Sequence, residues 1–338
     1  MAPVAAPTPA PGPVLNPNAP NSYVVKRGDT LWGISAMFLR DPWLWPEIWH
    51  VNPAVANPHL IYPGDTLMLV YGTNGAPEIQ LIAGNALRVS PLVRGASLDG
   101  PIASIPYRAI ASFLGKPSLL STDDVAHAPK VAVVRDNHLV ASVGDYVYVK
   151  GMKDHGPGRY SIVRVGNELK DPETGAVLGY MGNYAATARI DQANDELSKA
   201  LLEESFREAT TGDLLFGEEV SAPGSDIVPH APPANFSGQI MAVVDGTTQI
   251  GQYNVVAVNR GTRQGLQVGH VLAIDQKGEV VPDGSCKTFG RTSCKGTVKL
   301  PDERAGTLLV FKTYDRMSYA LVVETLVPVR VADMVRTP

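Results

Sequence analysis

The sequence predicts a multidomain α+β protein: a small strand–helix–helix–strand module, then mainly β domains built as small barrels or sandwiches. Three observations carry this. Glycine (32) and proline (28) are plentiful while aromatics make up 7%, which favours short strands and turns over long helices. Helical periodicity is confined to short stretches before about residue 130. Beyond about residue 131, apolar runs alternate with glycine-containing turns.

At 338 residues the chain is long enough for two or three domains, and its 44% apolar content can fill their cores. The formal net charge is −4 with no Lys/Arg cluster, so a nucleic-acid or anionic-membrane partner is not expected. No apolar run is long enough to span a bilayer. Met1-Ala2-Pro3 leads straight into a Pro/Ala tract, without the basic and apolar regions of a leader. Either the chain is cytosolic or a leader has been removed.

Residues 1–21 read as a disordered spacer held extended by prolines. Residues 22–72 form the first module. Tyr23-Val24-Val25 is a short strand, and Gly28-Asp29 turns the chain. A helix follows, capped by Thr30 or Asp29, with Leu31, Ile34 and Phe38 on one face. Asp41-Pro42 opens a second helical segment that turns Ile48 and Val51 inward, and Asn52-Pro53 ends it. The stretch LIYPGDTLMLV supplies a turn and a closing strand able to pair antiparallel with the first.

Residues 76–220 read as an α+β to β-rich middle domain. Pro106 and Gly115 bound one short helix, and Ser121 or Thr122 caps another over DDVAHA. An internal echo follows: strand, polar turn, Gly-Asp or Gly-His, strand. It runs through VAVVRDNHLVASVGDYVYV, ALLEESFREATTGDLLF and NVVAVNRGTRQGLQVGHVLAI. Residues 221–236 read as a Pro-rich linker, and 237–330 as a last β domain. That domain ends in two long alternating strands joined at Asp315-Arg316. The two cysteines, Cys286 and Cys294, stand close together in a polar stretch. Their spacing suits a disulfide-closed hairpin tip in an oxidising compartment, the alternative being two unpaired thiols. No second Cys or His pair accompanies them, so no metal site is expected.

YVVKRGDTLWGIS and NPHLIYPGDTLML, between residues 23 and 69, resemble the LysM module. The match runs through Tyr23, Val25, Gly28, Asp29, Thr30, Leu31, Ile34, Asn52, Pro53, Leu60, Ile61, Gly64 and Leu67. The resemblance implies a shallow groove for N-acetylglucosamine units of peptidoglycan. Its walls are the turn Gly28, Asp29, Thr30, Leu31 and the loop Asn57, Pro58, His59, Leu60, Ile61. Leu31 and Ile61 are expected to floor the groove and receive the acetyl methyl. An insert, RDPWLWPEIWH, departs from the pattern. Its tryptophans, Trp43, Trp45 and Trp49, are read as packing groups rather than sugar-stacking platforms.

A second resemblance covers most of residues 22–330. DPWLWPEIWHVNP, IPYRAIASFLGKP, DPETGAVLGY and LPDERAGTLLVFKTYDRMSYALV are similar to the type IV pilus secretin-associated (TsaP-like) family. This implies a periplasmic, peptidoglycan-binding protein. Its C-terminal domain, similar to one in the flagellar assembly protein FlgT, would contact the outer-membrane secretin ring (PilQ-like). The alternative reading is a LysM accessory factor for peptidoglycan remodelling or flagellar assembly.

The sequence offers no catalytic set and implies no cofactor. It has no HExxH, no Gly-x-Ser-x-Gly elbow and no His-Gly-Cys. Asp123-Asp124 read as first-turn charges on a helix, Gly156-Pro157-Gly158 as a plain loop, and His50 and His59 as surface or capping groups.

Overall fold

A computed structural model describes residues 13–49, 61–72, 77–82, 118–152, 156–194, 196–218, 227–244, 250–282 and 296–338, with 102, 104–105, 110, 113–114 and 116. The chain divides into two compact units: Met1–Tyr107 with Asp226–His230, and Arg108–Ser225 with Ala231–Pro338. The expected Cys286–Cys294 pairing, the loop residues Asn57, Pro58, His59 and Leu60, and His50 lie outside the described residues.

The first unit holds strand β1 (Ser22–Val24), helix α1 (Leu31–Phe38), a 3-10 turn (Pro42–Leu44), helix α2 (Trp45–Trp49) and strands β2 (Thr66–Tyr71) and β3 (Pro77–Ile82). Thr30 is the cap of α1: its hydroxyl accepts from Gly33 N at 3.1 Å. Leu31, Ile34, Phe38 and Ile48 enter one core with Val25, Leu67 and Ile79. Trp45 is 1% exposed and Trp43 packs on the same core, so both act in packing.

Two boundaries differ from the sequence reading. β3, grouped by sequence with the middle domain, pairs antiparallel with β2 from Thr66↔Ile82 to Tyr71↔Pro77. It covers the β2 edge opposite β1. The N-terminal spacer also ends early. Leu15 bridges Leu39, Asn16 N donates to the Phe38 carbonyl at 2.9 Å, and Leu15 packs on the core. Two adjacent apolar residues, Val14 and Leu15, give this stretch something to bury.

The second unit begins with β4 (Leu119–Leu120) and helix α3 (Thr122–His127). Ser121 caps α3 in a reciprocal box with Asp124. There follow β5 (Lys130–Val134), β6 (Val140–Ala141), β7 (Tyr146–Lys150), β8 (Gly158–Lys170), β9 (Val177–Ile190), β10 (Ser198–Ser205), β11 (Ala209–Thr210) and β12 (Leu214–Gly217). The order β10-β7-β5-β12-β8-β9, with β9 pairing back to β10, closes a barrel. Its core uses small residues on β9 and β10 (Ala186, Ala188, Ala200) against Val131, Val147, Ile162 and Leu215.

A second barrel follows. Its strands are β13 (Ser237–Val243), β14 (Val255–Val258), β15 (Val271–Gln276), then a side hairpin β16 (Val280–Pro282) and β17 (Thr297–Lys299), then β18 (Glu303–Thr313), β19 (Ser318–Thr325) and β20 (Met334–Arg336). The closed order is β13-β14-β19-β18-β15-β20. Closure leaves the ring without a free edge. Phe236 already lies in this core and Met334–Arg336 completes the ring, so the barrel exceeds the expected 237–330 at both ends.

The two rings have one topology. Taking β5, β7, β8, β9, β10, β12 and β13, β14, β15, β18, β19, β20 as first to sixth strands, both close in the order first-second-fifth-fourth-third-sixth. The agreement reaches single hydrogen bonds. Phe206 N and Arg207 N donate to the Ala185 carbonyl; Leu326 N and Val327 N donate to that of Ala305. Gly144 N reaches the Leu202 carbonyl as Tyr253 N reaches that of Val322. The sequence echo does not mark this repeat: its three stretches cover the first and second strands of one ring, the fifth and sixth of the same ring, and the second and third of the other.

The long strands β18 and β19 were expected to alternate. Instead Ala305–Phe311 and Ser318–Val323 are buried throughout. Their inner faces fill the barrel, and the outward Phe311 and Tyr319 meet Phe113 and Ser118. Phe113 stacks near Phe311 and Tyr319, at 5.9 and 5.8 Å between ring centres. Tyr319 donates to the Ser118 carbonyl at 2.7 Å. The β8–β9 turn also reaches the second barrel: Asn259 Nδ2 donates to Asp171 at 2.8 Å, and Arg260 pairs with Glu173.

Candidate functional site: the turns of the N-terminal module

Two turns of the same construction frame the module's β1–α1 side. In Lys26–Asp29, the Asp29 carboxylate accepts from Lys26 N at 2.8 Å, Asp29 N returns to the Lys26 carbonyl, and Gly28 takes φ +92°. In Tyr62–Asp65, Asp65 accepts from Tyr62 N at 2.9 Å, and Gly64 takes φ +98°. The positive φ requires glycine at little cost, and the carboxylate fixes the turn's first N–H. Val25 joins the two: its N–H donates to the Asp65 carbonyl and its carbonyl accepts from Gly64 N, both at 2.8 Å.

Asp29 has a second partner, since Tyr23 OH donates to it at 2.9 Å. Burial raises the Tyr23 pKa first, and the hydrogen bond and charge of Asp29 raise it further. Asp29 is therefore committed within the module. Gly28 is exposed, with open space where a Cβ would stand. Thr30 is half-buried over the first turn of α1.

Leu31 and Ile61 are the residues expected on the groove floor. Leu31 and Ile61 are 1% and 0% exposed and belong to the core. Their apolar side chains pay more by joining Ile34, Phe38 and Leu67 than by facing water. Residues 102–105 also lie against this place. Ser104 offers its carbonyl to Trp32 N at 3.1 Å, and Ile102 N donates to the Ile61 carbonyl at 2.8 Å. Ile102 and Ile105 are 7% and 4% exposed. No sequence signal marked this contact, because it joins segments distant in the chain.

Outside the module, the same turn recurs at Ser142–Asp145, Thr210–Asp213, Gly251–Asn254, Gln267–His270 and Arg330–Asp333, each with the first N–H held by the fourth side chain. A turn closed by the fourth side chain is thus a structural device of this chain, with Gly-Asp at two of these five places. Among the described residues, no helix is long and apolar enough to cross a membrane.

Comparison with known proteins bears on the module. Residues 23–69 match the LysM domain family. A similar relative is an uncharacterized protein, YqbP, of Bacillus subtilis (strain 168), 37% identical over 62 residues. That similarity covers 15% of this chain and 28% of the relative's length. The strand–helix–helix–strand order, the antiparallel β1–β2 pair and the family match agree: residues 23–69 of this chain are a LysM domain.

Proposed function

We propose that this protein is a non-catalytic wall-binding tether of the bacterial periplasm. Its LysM domain holds N-acetylglucosamine units of peptidoglycan, and its paired barrels hold a protein partner. The observation that carries the glycan reading is the LysM match at 23–69 on a module whose Gly28 turn stands open at the surface. Turns of this kind present backbone N–H and C=O groups, the natural partners of acetamido groups.

The partner we favour is the outer-membrane secretin ring of type IV pili. The support is the family-like segments in the second unit, which include DPETGAVLGY and the β18–β19 hairpin. A single shallow sugar site binds weakly, because water competes for each polar contact. Copies arrayed on a ring raise effective affinity without new contacts.

The test is sedimentation of the full chain with insoluble peptidoglycan. Gly28→Gln places a side chain on the open turn and forces it to positive φ. We expect a folded protein by circular dichroism whose sedimentation is lost. Equal sedimentation of both proteins sinks the assignment of the groove. Zymography separates a tether from a hydrolase, and co-purification with the secretin tests the partner.

A further inference from the structure

The barrel repeat matches residues as well as strands. Val131 N donates to the Asp213 carbonyl as Ile240 N donates to that of Asp333. Val131 pairs with Val149 as Ile240 pairs with Val258, and Val149 pairs with Ser198 as Val258 pairs with Ser318. The next residues along these strands are then equivalent: Lys150 with Asn259, and Lys199 with Tyr319. They point outward, because Val131, Val149 and Ala200 fill the first core and Ile240, Val258 and Ala320 the second. In the second barrel this face holds acceptors from the same chain. Asn259 Nδ2 donates to Asp171 at 2.8 Å, the adjacent Arg260 Nη2 donates to both Glu173 oxygens at 2.9 Å, and Tyr319 OH donates to the Ser118 carbonyl at 2.7 Å. Asn259 and Tyr319 are 3% and 0% exposed. In the first barrel the same two positions carry lysines, and both are exposed. Lys130, also exposed, stands directly opposite Lys150 across the β5–β7 pair. Like charges in that relation cost stability. Lys199 lies 3.8 Å over the Tyr146 ring, with Arg135 5.5 Å from the same ring. Among the described residues no carboxylate pairs with any of the three lysines. Elsewhere on this barrel Arg159 and Arg189 do meet glutamates.

We propose that the Lys130, Lys150 and Lys199 face of the first barrel binds an acidic segment of a partner protein, as the equivalent face of the second barrel holds Asp171 and Glu173. This deepens the tether reading by naming the chemistry of the barrels' partner, and it rests on that reading for the partner's being a protein. The exchange of Asn259 and Tyr319 for lysines fits the difference between the two occupants. The β8–β9 turn is delivered to the second barrel by the chain itself, at high effective concentration. A separate partner must be drawn from solution, and unpaired charge speeds that encounter. The protein's net charge of −4 opposes a long polyanion. A short acidic segment meets only the local patch, because screening confines exposed charges to about 8 Å at physiological salt.

The experiment uses the full chain and a fluorescein-labelled oligoglutamate peptide, read by fluorescence anisotropy at low and physiological salt. We expect saturable binding that weakens as salt rises. Lys150→Glu should weaken it about tenfold. By facing Lys130 with an opposite charge, the same change should leave the melting temperature equal or higher, so lost binding is not lost folding. Lys199→Gln, which only removes one charge, should weaken binding less. Equal binding by all three proteins, or none by the natural chain, overturns the proposal. Equally tight binding of labelled single-stranded DNA or of phosphatidylglycerol vesicles overturns the acidic-peptide occupant. Co-purification separates this face from the tether reading. A partner captured equally by the natural chain and by Lys150→Glu overturns the face and keeps the tether. Peptide capture at this face with no protein partner recovered overturns the tether instead.

Discussion

Asp213 and Asp333 occupy one position in two copies of the same barrel. Each accepts the N–H of the residue three before it, Thr210 at 2.8 Å and Arg330 at 2.7 Å. Each follows a residue at positive φ, Gly212 and Ala332. Each also sends its own carbonyl to the first strand of its barrel, at Val131 N and Ile240 N. Their surroundings differ in charge: Asp213 also holds Arg164, with bonds of 2.9 and 3.0 Å.

Asp213→Ala is therefore expected to cost more than Asp333→Ala. The first loses charge-assisted bonds, about 2–3 kcal/mol, the second a neutral donor's bond, about 1 kcal/mol. Urea unfolding of the two variants checks the order. Asp333→Asn should behave differently again, since Asn254 already fills this turn position. Burial raises the Asp333 pKa, outweighing its backbone hydrogen bonds and Arg330. The native state thus prefers the protonated form, and ionisation erodes stability as pH rises through the raised pKa. Asn should raise the urea midpoint at neutral pH, with the gain shrinking toward acid.

Glu218 behaves in the opposite sense. Burial pushes its pKa up, but hydrogen bonds from Lys116 and Thr187 and the charges of Lys116 and Arg159 more than reverse this. Its folded pKa is below the usual glutamate range, so its contribution is present above the unfolded pKa and lost as pH falls through the folded one. Glu218→Gln should destabilise the second unit at neutral pH, by about 1–3 kcal/mol. The difference should vanish in acid, as read by thermal melts across pH.

Lys312 is a half-buried amine that donates to the Phe113 and Lys116 carbonyls at 2.7 and 3.0 Å. Burial lowers its pKa from 10.5 to about 8. Between those two values the unfolded chain binds more protons, so stability rises with pH across that window. Lys312→Met removes the titration and two hydrogen bonds. Relative to this variant, the natural chain should gain stability between about pH 8 and 10.5, measured as paired urea midpoints.

β3 belongs to the LysM fold of this chain. Ile79 is 2% exposed against the module core. Ile79→Ala should cost about 2–4 kcal/mol and lower the temperature at which peptidoglycan sedimentation is lost. A variant that melts like the natural chain would return β3 to the middle segment.

The local chemistry of this protein is written in its sequence. Thr30 and Ser121 cap their helices, Asp41-Pro42 starts a helical turn, and Gly28-Asp29 and Gly64-Asp65 turn the chain. Each depends on side chains within three or four residues of the backbone they hold, so each is legible from order alone. The LysM pattern is legible for the same reason: its motif residues are turn and cap residues. What tertiary structure decided is what depends on distant partners. β20 closes a ring by meeting β13 and β15, and β3 completes a sheet begun at β1. Leu31 and Ile61 leave the surface because Val25, Leu67 and Ile102 come to them. Ser104 finds Trp32 only after the chain has returned to the module. Burial and barrel closure are sums over such long-range meetings, and no short window of sequence contains both partners.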